Sequence, residues 1–411
     1  MCNLTFRRNE LRNLLRACLM AVVLTAGCSA RAPGGPKAPE PAKDAVPSMM
    51  SRKEVTSIVA DTRKVVSPNG IEELKEIPVN GTMQWISIRG KDKRNPILLY
   101  VHGGPGSPTM PEDYTFQSPW EDFFTVVQWD QRGAGKTYGA NDPKALDATM
   151  TLPQIVDDAA VVTQYLTKTF AKKKIFLLGH SWGSAVAVTL AHEHPERFYA
   201  YLGTGQMVDG RRSEAEGYQF ALDQAVSHHN DEAVKELKSL APYPGPAPLT
   251  LERLSAQRKW LQYYGGLTWG RTDYLYDANA WTLSPDYTNH DLDQEGDGSL
   301  YSITHLLTAA VEFNAEAMTS FKCPIFLFEG RHDYSVSHTL AEDWFKRIVA
   351  PEKKLIWFED SAHMAMQEQA GRFLYHLVTD VRPIAVKAGD SAPADTTEGP
   401  SLTSDKSPKD D

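Results

Sequence analysis

The chain has 411 residues, with ordinary hydrophobic (42%) and charged (23%) fractions and a formal net charge of −9. That length can bury a sizeable core in one large domain or two smaller ones, and the acidic balance argues against a nucleic-acid partner. Three of the 4 cysteines, Cys2, Cys18 and Cys28, fall near the N-terminus, leaving only Cys323 further on. No disulfide framework or cysteine metal site can be built from that set. Cys323, before Pro324 at the start of an apolar strand, reads as a small core residue.

Arg7, Arg8, Arg12 and Arg16 precede the apolar stretch Ala17–Ala26, and small residues lead to Cys28. A basic region, a short apolar region and small residues before a cleavage point make a secretory signal, too short for a standing transmembrane helix. With cysteine after Ala26-Gly27, residues 1–27 resemble a bacterial lipoprotein signal, which implies a lipidated Cys28 and an exported, membrane-anchored protein. Thr25 stands where leucine is usual in that pattern, and a plain secretory signal is the alternative. Ser29 hints at the outer membrane by an enterobacterial sorting habit. Loss of residues 1–27 removes four arginines and Glu10 and moves the charge from −9 to about −12. Residues 28–50, rich in Pro, Ala and Gly, read as a flexible tether, and 385–411 as a disordered tail.

Between them, short apolar runs alternate with helix-like segments. Met83–Arg89 alternates as a half-buried strand, and Ile97–Val101 (ILLYV) is a buried strand running into His102-Gly103-Gly104-Pro105-Gly106. Phe124–Asp130 is a further strand, followed by a helix over Leu152–Phe170 and a buried strand at Ile175–Leu178. Ala200–Gly203 continues the pattern, which resumes with strands at Ile325–Phe328 and Lys354–Phe358, a helix near His338–Val349 and a last helix from Met364. This alternation predicts a mostly parallel central sheet flanked by helices, built from 51–205 and 321–384. Residues 206–320 break the rhythm: they are helical, aromatic and interrupted by Pro242–Pro248. They read as an inserted helical cap over the carboxyl ends of the strands, where ligands bind.

Gly179-His180-Ser181-Trp182-Gly183 fits G-x-S-x-G at a strand-to-helix junction, the setting of a nucleophile elbow. A serine nucleophile needs a base, and the base needs an orienting carboxylate. Asp333 follows strand Ile325–Phe328 and His363 follows strand Lys354–Phe358, so both belong at the same sheet edge as Ser181, in the order Ser, Asp, His. Asp360 and His332 are the rivals. Asp360 is too near His363 in sequence to face it from another strand. Oxyanion donors are expected from the backbone of Trp182 and of Gly103, with Gly104 the near alternative.

HGGPG at 102–106, WDQRGAGKT at 129–137 and GHSWGS at 179–184 resemble the proline iminopeptidases, serine aminopeptidases of the α/β-hydrolase fold. The likeness spans about 80–380. It implies an inserted cap, the triad Ser181, Asp333 and His363, no metal or cofactor, and release of an N-terminal residue from a peptide or amide. Such enzymes hold the free amine with cap glutamates, one in a Trp-x-x-Trp-Glu-like stretch. The similar stretch here starts at Trp260 and has Tyr264 where the glutamate belongs, which leaves Glu312 as the candidate amine ligand and Gly104, Trp260 and Tyr264 as further candidate substrate-binding residues. That departure leaves an esterase, lactonase or amidase open as an alternative substrate class. A non-catalytic surface binding lipoprotein is the remote alternative.

Other signals are weaker. Gly135-Lys136-Thr137 ends like a phosphate loop, but Asp130 replaces the first glycine. Asp291–Gly296 begins like a calcium loop, yet Ser302 stands where glutamate is needed, so it reads as a solvated acidic turn. His192-Glu193-His194 lacks zinc spacing. The cap aromatics Trp260, Tyr263, Tyr264, Trp269 and Trp281 are expected to be mostly packing, with some lining a pocket.

Overall fold

The structure, a computed structural model, describes residues 50–393. The expected signal, the lipidated Cys28, and the tether up to residue 49 lie outside the described residues. Among the described residues no helix is long and apolar enough to cross a membrane.

Eight strands form one sheet in the order β1-β2-β4-β3-β5-β6-β7-β8. They are β1 (Ile71–Val79), β2 (Thr82–Gly90), β3 (Ile97–Val101), β4 (Thr125–Trp129), β5 (Ile175–His180), β6 (Phe198–Thr204), β7 (Ile325–Gly330) and β8 (Lys353–Phe358). From β4 through β8 every pairing is parallel, while β2 joins antiparallel to β1 and β4. Every residue of β3, β4, β5, β6 and β7 is buried, as continuous apolar runs covered on both faces must be. β1 was not foreseen. Its turn residues Asn80 (φ 43°) and Gly81 (φ 80°) both take the left-handed backbone that a two-residue hairpin demands and that Asn-Gly supplies. The strand is charged and mostly exposed, as suits a sheet edge.

Helices α2 (Leu152–Thr169), α3 (Trp182–Glu193) and α9 (His338–Arg347) contribute buried residues to one face of the sheet. The C-terminal helices contribute Phe373, Leu377, Val381 and Ala385 to the other. The tail expectation needs correction here. A helix runs over Arg382–Lys387, Ala385 and Ala392 are buried, and Asp390 pairs with Lys172. Polar composition averaged over 385–411 hid the apolar Ile384-Ala385-Val386 that closes this face.

Between β6 and β7 lie the cap helices α4 (Gly210–Ser227), α5 (Asp231–Ser239), α6 (Leu251–Tyr263), α7 (Leu275–Thr282) and α8 (Asn289–Glu312). They share a small core of Tyr218, Ala221, Leu237, Trp260, Leu307 and Val311. The acidic stretch at 291–296 is not a turn but the start of α8. Thr288 caps that helix with Asp291 in a reciprocal box, and Asp291 also takes Lys136 Nζ at 2.7 Å.

Helix α1 (Arg52–Arg63), also unforeseen, fastens the cap to the sheet. Arg52 donates to the carbonyls of Thr282, Ser284 and Tyr287. Arg63 is buried against Asp113 at 2.9 Å, Asp286 at 3.4 Å and Glu121 at 3.6 Å. Burial pushes the Asp113 carboxyl up to about 7 even with Arg63 beside it. Removing one member of a buried ion pair strands the other. Urea unfolding of Arg63→Met should therefore show a loss of about 3 kcal/mol. Arg63→Met with Asp113→Leu should recover a large part of it; no recovery would mean that the guanidinium matters for its packing alone.

Candidate active site

Ser181 stands between the last residue of β5 and the first of α3, at φ 56° and ψ −125°. A non-glycine residue held there stores about 1–3 kcal/mol of strain. The surroundings enforce it: Ser181 N–H donates to the Thr204 carbonyl at 3.0 Å, and its own carbonyl accepts from Ser184 N–H at 2.8 Å. The elbow closes only because Gly183 lacks a side chain. A Cβ there would sit 2.0 Å from the Val101 carbonyl oxygen, so α3 rests directly on the end of β3.

The carboxyl end of β7 leads to Asp333 and that of β8 to His363. His363 Nδ1 meets Asp333 Oδ2 at 2.7 Å, while Oδ1 accepts the backbone N–H groups of Ser335 and Val336, each at 2.9 Å. Asp333 is fully buried, so these three donors replace its lost hydration. His363 lines the same chamber as Ser181. The two rivals lie elsewhere: Asp360 is exposed and His332 stacks on Trp269. His180 contributes its ring, 4.7 Å from that of His363, and its Nε2 lies 3.1 Å from the His363 carbonyl. Burial, then the neighbouring His363, keep the His180 pKa well below the ordinary imidazole value. A neutral His180 therefore donates from Nε2 to that carbonyl and adds no charge beside the ring.

Gly205 was missed by the sequence reading, and it follows β6 directly. Its φ is 53°, and a Cβ there would lie 2.7 Å from His363 Cε1 and 2.8 Å from Nδ1. Gly205→Ala should thus displace the imidazole and lower kcat about 100-fold, the usual penalty for a misplacement near 1 Å. Unchanged kcat in steady-state assays would mean that the loop yields and that the ring position is not critical.

Gly103 and Trp182 flank the serine. A Cβ on Gly103 would lie 3.0 Å from Ser181 Cβ, and the Trp182 N–H belongs to the helix turn whose donors have no intrahelical acceptor. Gly104 lines both cavities that border the serine. Two further residues brace these segments. His102 Nδ1 is 2.9 Å from the Gly103 carbonyl, and its Nε2 accepts from Gln131 N–H at 3.2 Å; burial lowers its pKa to about 4. Gln131 donates to the His102 carbonyl at 2.8 Å and accepts from the Trp182 indole at 3.2 Å. That bridge gives the middle of the WDQRG segment a physical role: it ties the two candidate oxyanion segments together.

Two cavities meet at Ser181, one of about 220 Å³ and one of about 120 Å³. The larger is lined by two buried carboxylates that the sequence reading passed over, Glu112 from the loop after β3 and Asp277 from α7. They are hydrogen-bonded to each other. Trp281 Nε1 donates to Glu112 Oε2 at 2.8 Å and Gln367 Nε2 to Asp277 Oδ1 at 3.3 Å. Burial, then the charge of Asp277, push the Glu112 carboxyl well above the carboxylate range, and burial raises Asp277 as well. A hydrogen bond between two carboxyls needs one proton between them, and both shifts favour keeping it.

The expected cap ligands are corrected. Glu312, at the C-terminal end of α8, is exposed and gripped by Arg211; it lines neither cavity. Trp260 is buried in the cap core, where its indole donates to Glu236, and Tyr264 packs against that core and His228. Both follow from the face of α6 that meets α4 and α5, which spacing along one helix does not reveal. Of the five cap aromatics, Trp281 alone lines either of these two cavities.

Residues 96–370 match the alpha/beta hydrolase fold family, and the chain belongs to that family: it is a hydrolase of the α/β fold. The Bacillus subtilis (strain 168) protein named "Probable aminopeptidase YbaC" is 31% identical over 303 residues, 73% of this chain and 93% of that protein. The proline iminopeptidase of Arabidopsis thaliana is 31% identical over 132 residues, 32% of this chain and 31% of that protein. Among solved structures, the proline iminopeptidase of Mycobacterium smegmatis superposes with a TM-score of 0.57 at 15% identity, covering 77% of this chain and 100% of that one. The chain is thus a proline iminopeptidase-like α/β-hydrolase.

Proposed function

We propose that the protein is a serine aminopeptidase that releases the first residue of a peptide or amide through an acyl-enzyme. One observation carries this reading. A strained serine, an aspartate-held histidine and a buried carboxylate pair converge on one chamber.

In this reading His363 Nε2 takes the proton of Ser181 Oγ, which attacks the scissile carbonyl. Asp333 keeps Nδ1–H in place and balances the imidazolium. The oxyanion faces the N–H groups of Trp182 and Gly103 (or Gly104), at the positive end of α3. Collapse breaks the C–N bond as His363 hands its proton to the departing amine, leaving the acyl ester on Ser181. Water, deprotonated by His363, then attacks the ester and frees the first residue as its acid. Glu112 and Asp277 supply the negative charge that a desolvated ammonium group requires, in the place the resemblance assigns to cap glutamates.

A fluorophosphonate probe and a substrate panel test this. Ser181 should label, and arylamides with a free α-amine should outpace both their N-acetylated forms and short-chain esters. Equal cleavage of blocked and free amines would end the aminopeptidase reading and favour an esterase or amidase. An unlabelled wild type would favour a binding protein on a hydrolase scaffold. Export and anchoring through Cys28 belong to the same proposal: palmitate should label the wild type and not Cys28→Ser.

A further inference from the structure

The cavity walls hold a charged group that the mechanism does not use. Arg258, on α6, lines both the larger and the smaller cavity, as do Ser181 and Gly104. It therefore stands where the two spaces join. Its guanidinium has five N–H groups. Nη1 donates to Glu214 Oε2 at 3.0 Å and to Gln257 Oε1, and Nη2 donates to Glu214 Oε1. Glu214 is held in turn by the Tyr243 hydroxyl at 2.8 Å. Glu214 thus grips the guanidinium end-on and fixes its plane.

The remaining Nε–H and second Nη2–H point along the other edge, and among the described residues neither has a partner. About 20% of the side chain is accessible. An Nε/Nη2 edge is a two-pronged fork whose spacing matches a carboxylate. Apart from the histidines, Arg258 is the one cationic side chain lining either cavity.

We infer that Arg258 binds the free carboxylate of the leaving residue, and that the enzyme's preferred substrates are dipeptides. This rests on the aminopeptidase reading above. A dipeptide carries an ammonium group, a scissile carbonyl and a carboxylate in that order. The larger chamber is lined by the Glu112–Asp277 pair, Ser181 and Arg258. Its volume of about 220 Å³ suits such a small molecule, since a cavity of about 150 Å³ accommodates a benzene ring. Longer peptides would bring an uncharged amide to the fork and leave its donors without a matching anion.

The test compares kcat/KM for a dipeptide, the same dipeptide amidated at its C-terminus, and the arylamide of its first residue. In the wild type the free dipeptide should exceed its amide by at least about tenfold, the usual worth of a charge-assisted pair. That ratio should fall to near one in Arg258→Gln combined with Glu214→Gln, a variant that removes both charges and so strands neither. Arg258→Lys, which keeps the charge but not the fork, should give an intermediate ratio. Equal wild-type rates for dipeptide and amide overturn the assignment, as does a ratio that survives in the double variant. Faster cleavage of arylamides whose first residue is Asp or Glu would put the carboxylate in the acyl half and overturn it too. If the free-amine arylamide is not cut at all, or its N-acetyl form is cut equally fast, it is the aminopeptidase reading that has failed, and the dipeptide preference with it.

Discussion

Ser181→Ala should lower kcat by at least about 10⁴-fold, the scale on which acyl-transfer enzymes lose their nucleophile, and should abolish fluorophosphonate labelling. The fold should survive intact. Among the described residues Ser181 Oγ has no hydrogen-bond partner, and the elbow is held by backbone groups and by the contact of Gly183 with Val101. Alanine meets the same steric penalty at φ 56°, so the melting temperature should stay within a few degrees of wild type. Ser181→Gly, which relieves that conformation, should be equally inactive and more stable. Retained turnover in Ser181→Ala, with a second labelled residue, would place the chemistry elsewhere. A large drop in stability would make the serine a structural residue.

The second large effect concerns the carboxylate pair. Glu112→Gln or Asp277→Asn should lower kcat/KM for free-amine substrates by at least about 30-fold, corresponding to the 2 kcal/mol or more lost when a buried charge pair is broken. N-acetylated substrates should lose far less. Stability should move the other way. Both carboxyls are raised by burial above their unfolded values, so the native state binds more protons than the unfolded chain. The stability this pair contributes is full below the unfolded carboxylate pKa values and is lost as pH rises through the raised folded ones. An isosteric amide escapes that loss, so each variant should melt higher than wild type at neutral pH. A role in packing alone predicts lower stability and equal losses on both substrates. Ammonium binding expels the shared proton, so KM for free amines should fall as pH rises through the pair's upper titration, until the substrate amine itself loses its charge near 8.

Much of the site was legible because it is written in local rules. G-x-S-x-G between an apolar run and a helix forces the elbow, and strand ends mark where Asp333 and His363 emerge. Those elements are continuous in sequence and need only hydrophobic period and turn chemistry. The Asn80-Gly81 hairpin was equally local, yet its charged edge strand hid the apolar signal. The carboxylate pair was not legible in this way. Glu112 sits in a short 3-10 helix (Met110–Thr115) and Asp277 on a cap helix, 165 positions apart by their numbering, and neither has a partner nearby in sequence to betray it.

The amino-acid sequence alone thus determined the layered sheet, the order in which Ser181, Asp333 and His363 emerge from strand ends, and the presence of an inserted cap, because each follows from short-range pattern. Only the tertiary structure decided which cap side chains face the serine. It turned Trp260 and Tyr264 into a separate core, left Glu312 to Arg211 on the surface, and brought Glu112, Asp277 and Arg258 to the chamber. The reason is geometric. A helix's period says that one face is buried, whereas its rotation and its distant neighbours select whether that face meets a packed core or a substrate.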